Sequence, residues 1–508
     1  MSYTLKDWVE EHCSSITIGE FKRKPFDKQM EVLKKSAGKR LFAFFLDMGT
    51  GKTKVSTDNA WILFENNLID KVLIACPAGV LPNWEDFSED IPDRIPYQLA
   101  EINEKKDSFV IKKRFNIGKI EPERILTILV LSISGFLWTR AACSQVRKKY
   151  VEKFVDDRCL VILDESTKIK ATKAKTSKHF KKSTMNAGFK RLLTGFPMPN
   201  SIVDLFSQMD WLDWRIIGER SEWAFRLNYC VMQRGFGNGG REFFKNVGIK
   251  NEPLLKQRLI PYSATIELSD VASLDEKNYN IVKVSQTLMQ KLHWDNLRKK
   301  GTTEIEGVQI TPENVLGIVT KLHQLSSNFI IKNGSEGTFA ELSSENHKWN
   351  AFLKIVKNHP NDKIIVWVPF KALESMVKSR LEKQFGKESF VNYFETRSPI
   401  TKAIAIERFK TTDAKFFLAN PASGGMGLTL TNANVAVYWA NARRAESRVQ
   451  SEQRIYRAGQ RKPCYYYDLV TENMLDQHVL KALHAKKNFG MSFIRELKIF
   501  NDDLISNF

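Results

Sequence analysis

The 508 residues, 43% hydrophobic and 27% charged, have ordinary globular composition and enough length for two sizeable cores, which predicts two α/β domains with additions. Six cysteines (Cys13, Cys76, Cys143, Cys159, Cys230 and Cys464) form no C-x-x-C pair and meet no histidine at zinc spacing, which argues against a disulfide framework or a zinc site and predicts reduced, structural thiols. The formal net charge of +20 favours a polyanionic partner through counterion release, nucleic acid ahead of an anionic membrane surface, and leaves open that the lysines serve solubility alone.

The N-terminal MSYTLKDWVEEH has acidic residues where a secretion signal needs an apolar run, and the longest apolar segment, ILTILVLSISGFLW, is too short to cross a bilayer. The expectation is a cytoplasmic protein, in the host cytoplasm if viral, neither secreted nor membrane-bound. FAFFL, from Phe42, has the length and composition of a buried parallel strand, and TKVSTDNAWILF after it spaces Val55, Ala60, Ile62 and Leu63 as a helix does. Gly49 and Gly51 therefore fall at a strand-to-helix turn, where backbone N–H groups curl around an anion and the helix N-terminus adds partial positive charge. Lys52 is placed to neutralise β- and γ-phosphates and Thr53 to coordinate Mg²⁺, so the expected ligand is a nucleoside triphosphate, although Leu46 occupies the first glycine position of the strict G-x-x-x-x-G-K-[ST] pattern.

Further along, RCLVILDEST is a second continuous apolar strand ending in Asp164, suited to magnesium, and Glu165, suited to the attacking water. Lys168 to Arg191 then holds nine Lys/Arg and no acid. That run reads either as a solvated face or as a surface tracking a phosphate backbone, since lysine without interleaved aromatics contacts phosphates rather than bases. Residues 215 to 340 carry no nucleotide motif and read as helical additions and linkers. Within them RGFGNGGR meets G-x-G-x-x-G at Gly235, Gly237 and Gly240 with no apolar strand before it and no apolar-periodic helix after it. It is predicted to be a mobile loop rather than a dinucleotide turn, with Arg234 and Arg241 within reach of phosphate.

These segments form an ordered series: the glycine turn, ACPAGVLPNW (75–84), the Asp-Glu strand, LLTGFPMPN (192–200), NPASGGMGLTLTNANVAVY (420–438) and QSEQRIYRAGQ (450–460). The series resembles the superfamily 2 helicases, and specifically the Swi/Snf-type DNA translocases. The Q-x-x-x-R-x-x-R-x-G-Q ending is met at Gln450, Arg454, Arg457, Gly459 and Gln460, and the likeness runs over about residues 24 to 490. It implies two RecA-like parallel-sheet domains in tandem with helical insertions and a C-terminal brace helix, divided at 1–215, 216–340 and 341–508. YYYDLVTENMLDQHVLKALHAKKN resembles the brace, and LHQLSSNF (322–329) the segment preceding the second domain.

Position by position, the resemblance makes Gln29 the adenine reader, and Gly49, Thr50, Gly51, Lys52 and Thr53 the phosphate cradle, with Gly427 a further nucleotide contact. It assigns Asp164 and Glu165 to metal and water, and makes Arg454 and Arg457 fingers that reach the γ-phosphate from the second domain, where positive charge serves the transition state. It implies ATP and Mg²⁺ as ligands and DNA as partner, duplex and contacted without sequence preference. RNA is the lesser alternative and any loading proteins are unidentified. The activity implied is DNA-dependent ATP hydrolysis coupled to translocation, in replication, recombination or repair. A strand-separating helicase and a non-hydrolysing ATP switch remain as alternatives. The departures are Ser166 and Thr167 in place of Ala-His, Phe196 and Pro199 in LTGFPMPN, Pro421 to Ser423 in place of Thr-Arg-Ala, and Arg443-Arg444 in place of Trp-Asn. They remodel the DNA-facing positions and leave those for chemistry intact.

Overall fold

The apolar run that begins the series is strand β1, Leu41–Leu46, every residue of which is buried. In a computed structural model, the structure describes residues 15–118, 122–139, 141–236, 242–312, 314–332, 339–396, 398–422, 428–442 and 444–505. Cys13, Gly427 and Arg443 lie outside these residues. The chain divides into two units, one comprising residues up to Ala272 together with those from Asn488, the other Ser273–Lys487.

The first unit is built on β1 with β2 (Lys71–Cys76), β3 (Tyr97–Asn103), β4 (Ser108–Phe115), β5 (Leu126–Ser132), β6 (Cys159–Asp164), β7 (Phe189–Leu193) and β10 (Ser263–Ile266). Their order is β10-β1-β7-β6-β2-β5-β3-β4, parallel throughout except for β3 with β4. A parallel sheet covered on both faces needs apolar residues at consecutive positions, and β1 divides them by pleat. Leu41, Ala43 and Phe45 join a core with Val161, Leu205 and Met209, while Phe42, Phe44 and Leu46 join another with Val32, Trp61 and Ile62. The segment too short for a bilayer forms β5 and the turn after it, and among the described residues no helix is long and apolar enough to cross a membrane. β8 (Cys230–Phe236) and β9 (Glu242–Ile249) form a separate antiparallel ribbon.

The second unit holds a six-stranded parallel sheet, with β11 (Lys277–Val284), β16 (Ile364–Trp367), β17 (Phe390–Asn392), β18 (Phe416–Ala419), β19 (Val435–Tyr438) and β20 (Cys464–Thr471) in the order β11-β20-β19-β16-β18-β17. Ile364 and Val366 face one core with Trp439, Ile365 and Trp367 the other with Tyr438. Short hairpins β12 (Thr303–Ile305) with β13 (Val308–Ile310), and β14 (Phe329–Ile331) with β15 (Phe339–Glu341), lie between β11 and β16 in the chain.

The sequence-based division at 215/216 and 340/341 therefore differs from the structural one. β10 extends the first sheet beside β1, β11 pairs with β20, and the first unit's core includes Phe493 and Ile494. Both strands escape local reading because β10 is four residues long and their partners are hundreds of residues distant. The segment read as the brace begins as strand β20, and its helix is Leu475–Ile505. RGFGNGGR is not simply a loop: Arg234, Gly235 and Phe236 end β8, Glu242 begins β9, and Gly237 to Arg241 lie outside the described residues.

Candidate active site

The turn after β1 folds as its glycines require. Gly49 and Gly51 both sit at φ 87°, in the left-handed region, and Gly51 caps the helix Lys52–Glu65. A Cβ at Gly51 would fall 2.3 Å from Gln29 Nε2. That nitrogen donates to the Thr50 carbonyl at 2.8 Å, while Gln29 Oε1 accepts from the Phe26 N–H at 3.0 Å. Buried Gln29 thus ties the cradle, through its amide nitrogen, to the start of its own helix, which its amide oxygen caps, a contact the adenine assignment does not anticipate. The Thr50 hydroxyl donates to the Asp47 carbonyl at 2.7 Å, and Lys52 Nζ donates to the Leu46 carbonyl at 3.1 Å. Thr53 is half-buried in the first helical turn.

Across β7, strand β6 delivers Asp164, a buried carboxylate with an N–H on each oxygen. Trp84 Nε1 donates to Oδ2 at 3.0 Å and the Glu165 N–H to Oδ1 at 3.0 Å. Burial raises the Asp164 pKa, opposed by the charge of Lys52 and then by the Trp84 hydrogen bond. Glu165 takes φ 52° and ψ 59°, a left-handed conformation that costs a glutamate backbone strain and turns its side chain out of the strand's alternation. Trp84 was absent from the sequence-based site. Its signal was ACPAGVLPNW itself, a tryptophan closing the turn after β2, the strand next to β6. A left-handed glycine cradle, an amine beside it and a desolvated carboxylate fit a triphosphate with a divalent cation, held by Lys52, Thr53 and Asp164.

LTGFPMPN follows β7, and Gly195 lets it approach the cradle, since a Cβ there would lie 3.0 Å from the Leu46 carbonyl oxygen. The Ser166 hydroxyl donates to Gln208 Oε1 at 2.6 Å, and Gln208 Nε2 donates to the Pro197 carbonyl at 2.7 Å. A buried amide thereby joins the Asp-Glu turn to the Pro197 turn at one of the positions where the chain departs from the resembled family. Phe196, another departure, is buried over Gly490 of the C-terminal helix.

In the second unit the two arginines differ. Arg454 is fully buried with Nη1 on the Leu428 carbonyl at 3.1 Å. Arg457 is half-buried and donates to Thr429 Oγ1 at 2.8 Å and the Leu428 carbonyl at 3.3 Å. Gly459, at φ 96°, makes the turn after them, and Gln460 Nε2 fastens it to the Ala433 and Ile455 carbonyls. Arg448, not singled out from sequence, anchors the preceding helix Ala445–Glu452 by forking onto Asp468 and donating to Glu452 Oε1 at 2.8 Å. The basic run is not one surface either: Lys190 and Arg191 are buried in β7 and Lys181 pairs with Asp210, while Lys168, Lys173, Lys175, Lys178 and Lys182 are exposed. Burial pushes Lys190 down to about 8 and Arg191 to about 9. Among the described cysteines all are free, and only Cys143 is exposed.

Residues 40–331 match the SNF2-related domain and residues 347–459 the helicase conserved C-terminal domain. The chain belongs to the SNF2-related family. An uncharacterized ATP-dependent helicase of Mycoplasma pneumoniae is 23% identical to this SNF2-related chain, covering 91% of it and 41% of the relative. The RAD54-like DNA repair and recombination protein of Danio rerio is 22% identical over 91% of this chain and 66% of its own length. The chain thus spans about two fifths to two thirds of these relatives. A Sulfolobus solfataricus SWI2/SNF2 ATPase core solved in complex with dsDNA aligns at TM-score 0.40 and 20% identity, covering 97% of this chain and 98% of that one.

Proposed function

We propose that this SNF2-related chain is a DNA-dependent ATPase that couples ATP hydrolysis to movement on, or remodelling of, duplex DNA in the cytoplasm. The observation that carries the reading is the gathering, at the carboxyl ends of β1 and β6, of the Gly49–Thr53 cradle, Lys52, Asp164 and Glu165. Backbone N–H groups of the cradle and the Lys52 amine take the β- and γ-phosphates, and Gln29 holds the cradle against the adenine side. Asp164, kept in place by Trp84, offers a carboxylate to the cation with Thr53. Mg²⁺ bound there neutralises charge on the phosphate oxygens as it develops. Glu165 orients water and takes its proton. Arg457 is assigned to the charge on the transferring phosphoryl group. The relatives that are DNA repair and recombination proteins support DNA as the partner, as does the net charge of +20.

Phosphate release with and without duplex DNA tests the reading. The wild-type chain is expected to be stimulated by duplex, Lys52→Ala to lose ATP binding, and Glu165→Gln to bind ATP without turnover. Equal hydrolysis by wild type and Glu165→Gln would overturn it.

A further inference from the structure

The β8–β9 ribbon is a two-stranded antiparallel sheet with no third strand among the described residues, and such a ribbon is marginal in water unless something covers it. It nonetheless exposes large aromatic rings: Phe236 is 66% exposed, Phe243 50% and Phe244 48%, with Trp223 beside them 51% exposed. The register sets Arg234 opposite Phe244, Gly235 opposite Phe243 and Phe236 opposite Glu242. Because successive side chains alternate, Arg234, Phe236 and Phe244 share one face while Phe243 and Lys245 share the other. Phe244 meets Trp223 edge-on at 5.8 Å, and Phe243 lies across Gly235, where a Cβ would fall 2.8 Å from its ring. Both faces are therefore aromatic. An ordinary half-buried ribbon hides one.

Cations are threaded between the rings. From Arg234 to Lys250 the described residues carry Arg234, Lys245 and Lys250 against the single acid Glu242. Arg234 lies 5.5 Å from the centre of the Phe236 ring and pairs with Glu242 across the ribbon, which leaves the exposed Lys245 and Lys250 as the cations open to phosphate. Apolar protein-docking patches are depleted in charge at their centres, whereas flat rings alternating with phosphate-pairing cations suit stacked bases on a charged backbone. The exposed lysines between 168 and 182 differ in kind: the nearest aromatic there, Phe180, is buried, which leaves that surface only phosphates to contact.

We infer that the β8–β9 ribbon is a base-stacking element that engages unpaired nucleotides, through Phe236 and Phe243. A duplex presents no base faces, so this element distinguishes single-stranded or branched nucleic acid from plain duplex. The inference rests on the proposed nucleic-acid function and adds a substrate preference to it.

Fluorescence anisotropy of the full chain with three probes tests it: an oligothymidine, a blunt duplex and a duplex bearing a single-stranded arm. Phe236→Ala with Phe243→Ala is expected to weaken the oligothymidine and armed probes by about tenfold or more while duplex affinity stays within about twofold. Phe236→Ala alone, which leaves Phe243 packed over Gly235, should give part of the loss, and Phe236→Trp should restore it. Equal losses on all three probes, or none on the armed probe, overturn the inference while duplex-stimulated hydrolysis still upholds the function. Wild type binding none of the three overturns both. Loss of self-association in the double variant, seen by light scattering, reassigns the ribbon to contact between copies of the chain.

Discussion

Trp84 Nε1 donates to Asp164 Oδ2 at 3.0 Å, both groups buried, so the turn after β2 and the carboxylate that ends β6 share one hydrogen bond. A donor to a ligating carboxylate fixes its orientation and its remaining lone pairs. Trp84→Phe keeps an aromatic ring in the core beside Phe87 and removes only the N–H. Apparent Mg²⁺ affinity is expected to fall about 10- to 100-fold, with ATP affinity in excess Mg²⁺ nearly unchanged. A Mg²⁺ titration of phosphate release beside equilibrium nucleotide binding checks this; an unmoved Mg²⁺ midpoint would show that the bond is structural alone.

Arg454 and Arg457 stand three residues apart in one motif and call for opposite outcomes. Half-buried Arg457 is expected to tolerate Arg457→Ala with ATP binding intact and hydrolysis reduced by about 10³-fold or more, and Arg457→Lys not to rescue it. Fully buried Arg454, bound to the Leu428 carbonyl, is expected to answer Arg454→Ala with a loss of about 2–4 kcal/mol of stability in the second unit. Denaturant melts together with ATP-binding titrations separate the two. Matching melts for both variants would mean the burial difference is without consequence.

The same pair shows how far the sequence carried. Local patterns gave β1, the cradle helix and β6, because a run of apolar residues ending in Gly-Lys-Thr or Asp-Glu encodes strand, turn and charge within a dozen positions. Which of two motif arginines is buried depends instead on the fold of the whole second sheet, since both donate to the Leu428 carbonyl. Likewise β10, with Ser263 and Thr265 among its four residues, has little apolar signal; its place beside β1 is a pairing more than 200 residues long in sequence. The site roles of Trp84, inside a quoted motif, and of Gln208, outside any, are unreadable for the same reason. Trp84 acts by one hydrogen bond to Asp164 and Gln208 by bonds to two distant turns, and such isolated long-range bonds leave no periodicity to read.

Phe196 and Gly490 fit as a pair. Gly490 lies inside the helix Leu475–Ile505, where glycine normally costs about 1 kcal/mol against alanine. Here a Cβ would lie 2.4 Å from Phe196 Cε2 and 3.2 Å from the Met198 carbonyl oxygen, so overpacking opposes the propensity gain. Gly490→Ala is therefore expected to destabilise the first unit by about 1–2 kcal/mol, and Phe196→Ala in the same chain to recover part of that loss. A double-mutant cycle by urea unfolding measures the coupling. An additive cycle would deny the contact.

Asp70 ties together residues that begin three central strands. It pairs with Arg158 just before β6 and with Arg124 just before β5, itself standing before β2. Above all the Arg158 hydrogen bond, then that of Arg124, hold its carboxyl down at about 2 against the opposing effect of burial. A carboxylate whose folded pKa lies below its unfolded value near 3.9 stabilises fully above that value, and loses the contribution as pH falls through the folded one. With the side chain 35% exposed, solvent screening cuts the contribution to about 1 kcal/mol at neutral pH. Asp70→Asn should therefore lower the urea midpoint of the first unit at pH 7, and the gap to wild type should narrow steadily below about pH 4 as the wild-type carboxylate takes up its proton. A gap that stays constant from pH 7 to pH 3 would mean that the pairing with Arg158 and Arg124 contributes nothing through charge.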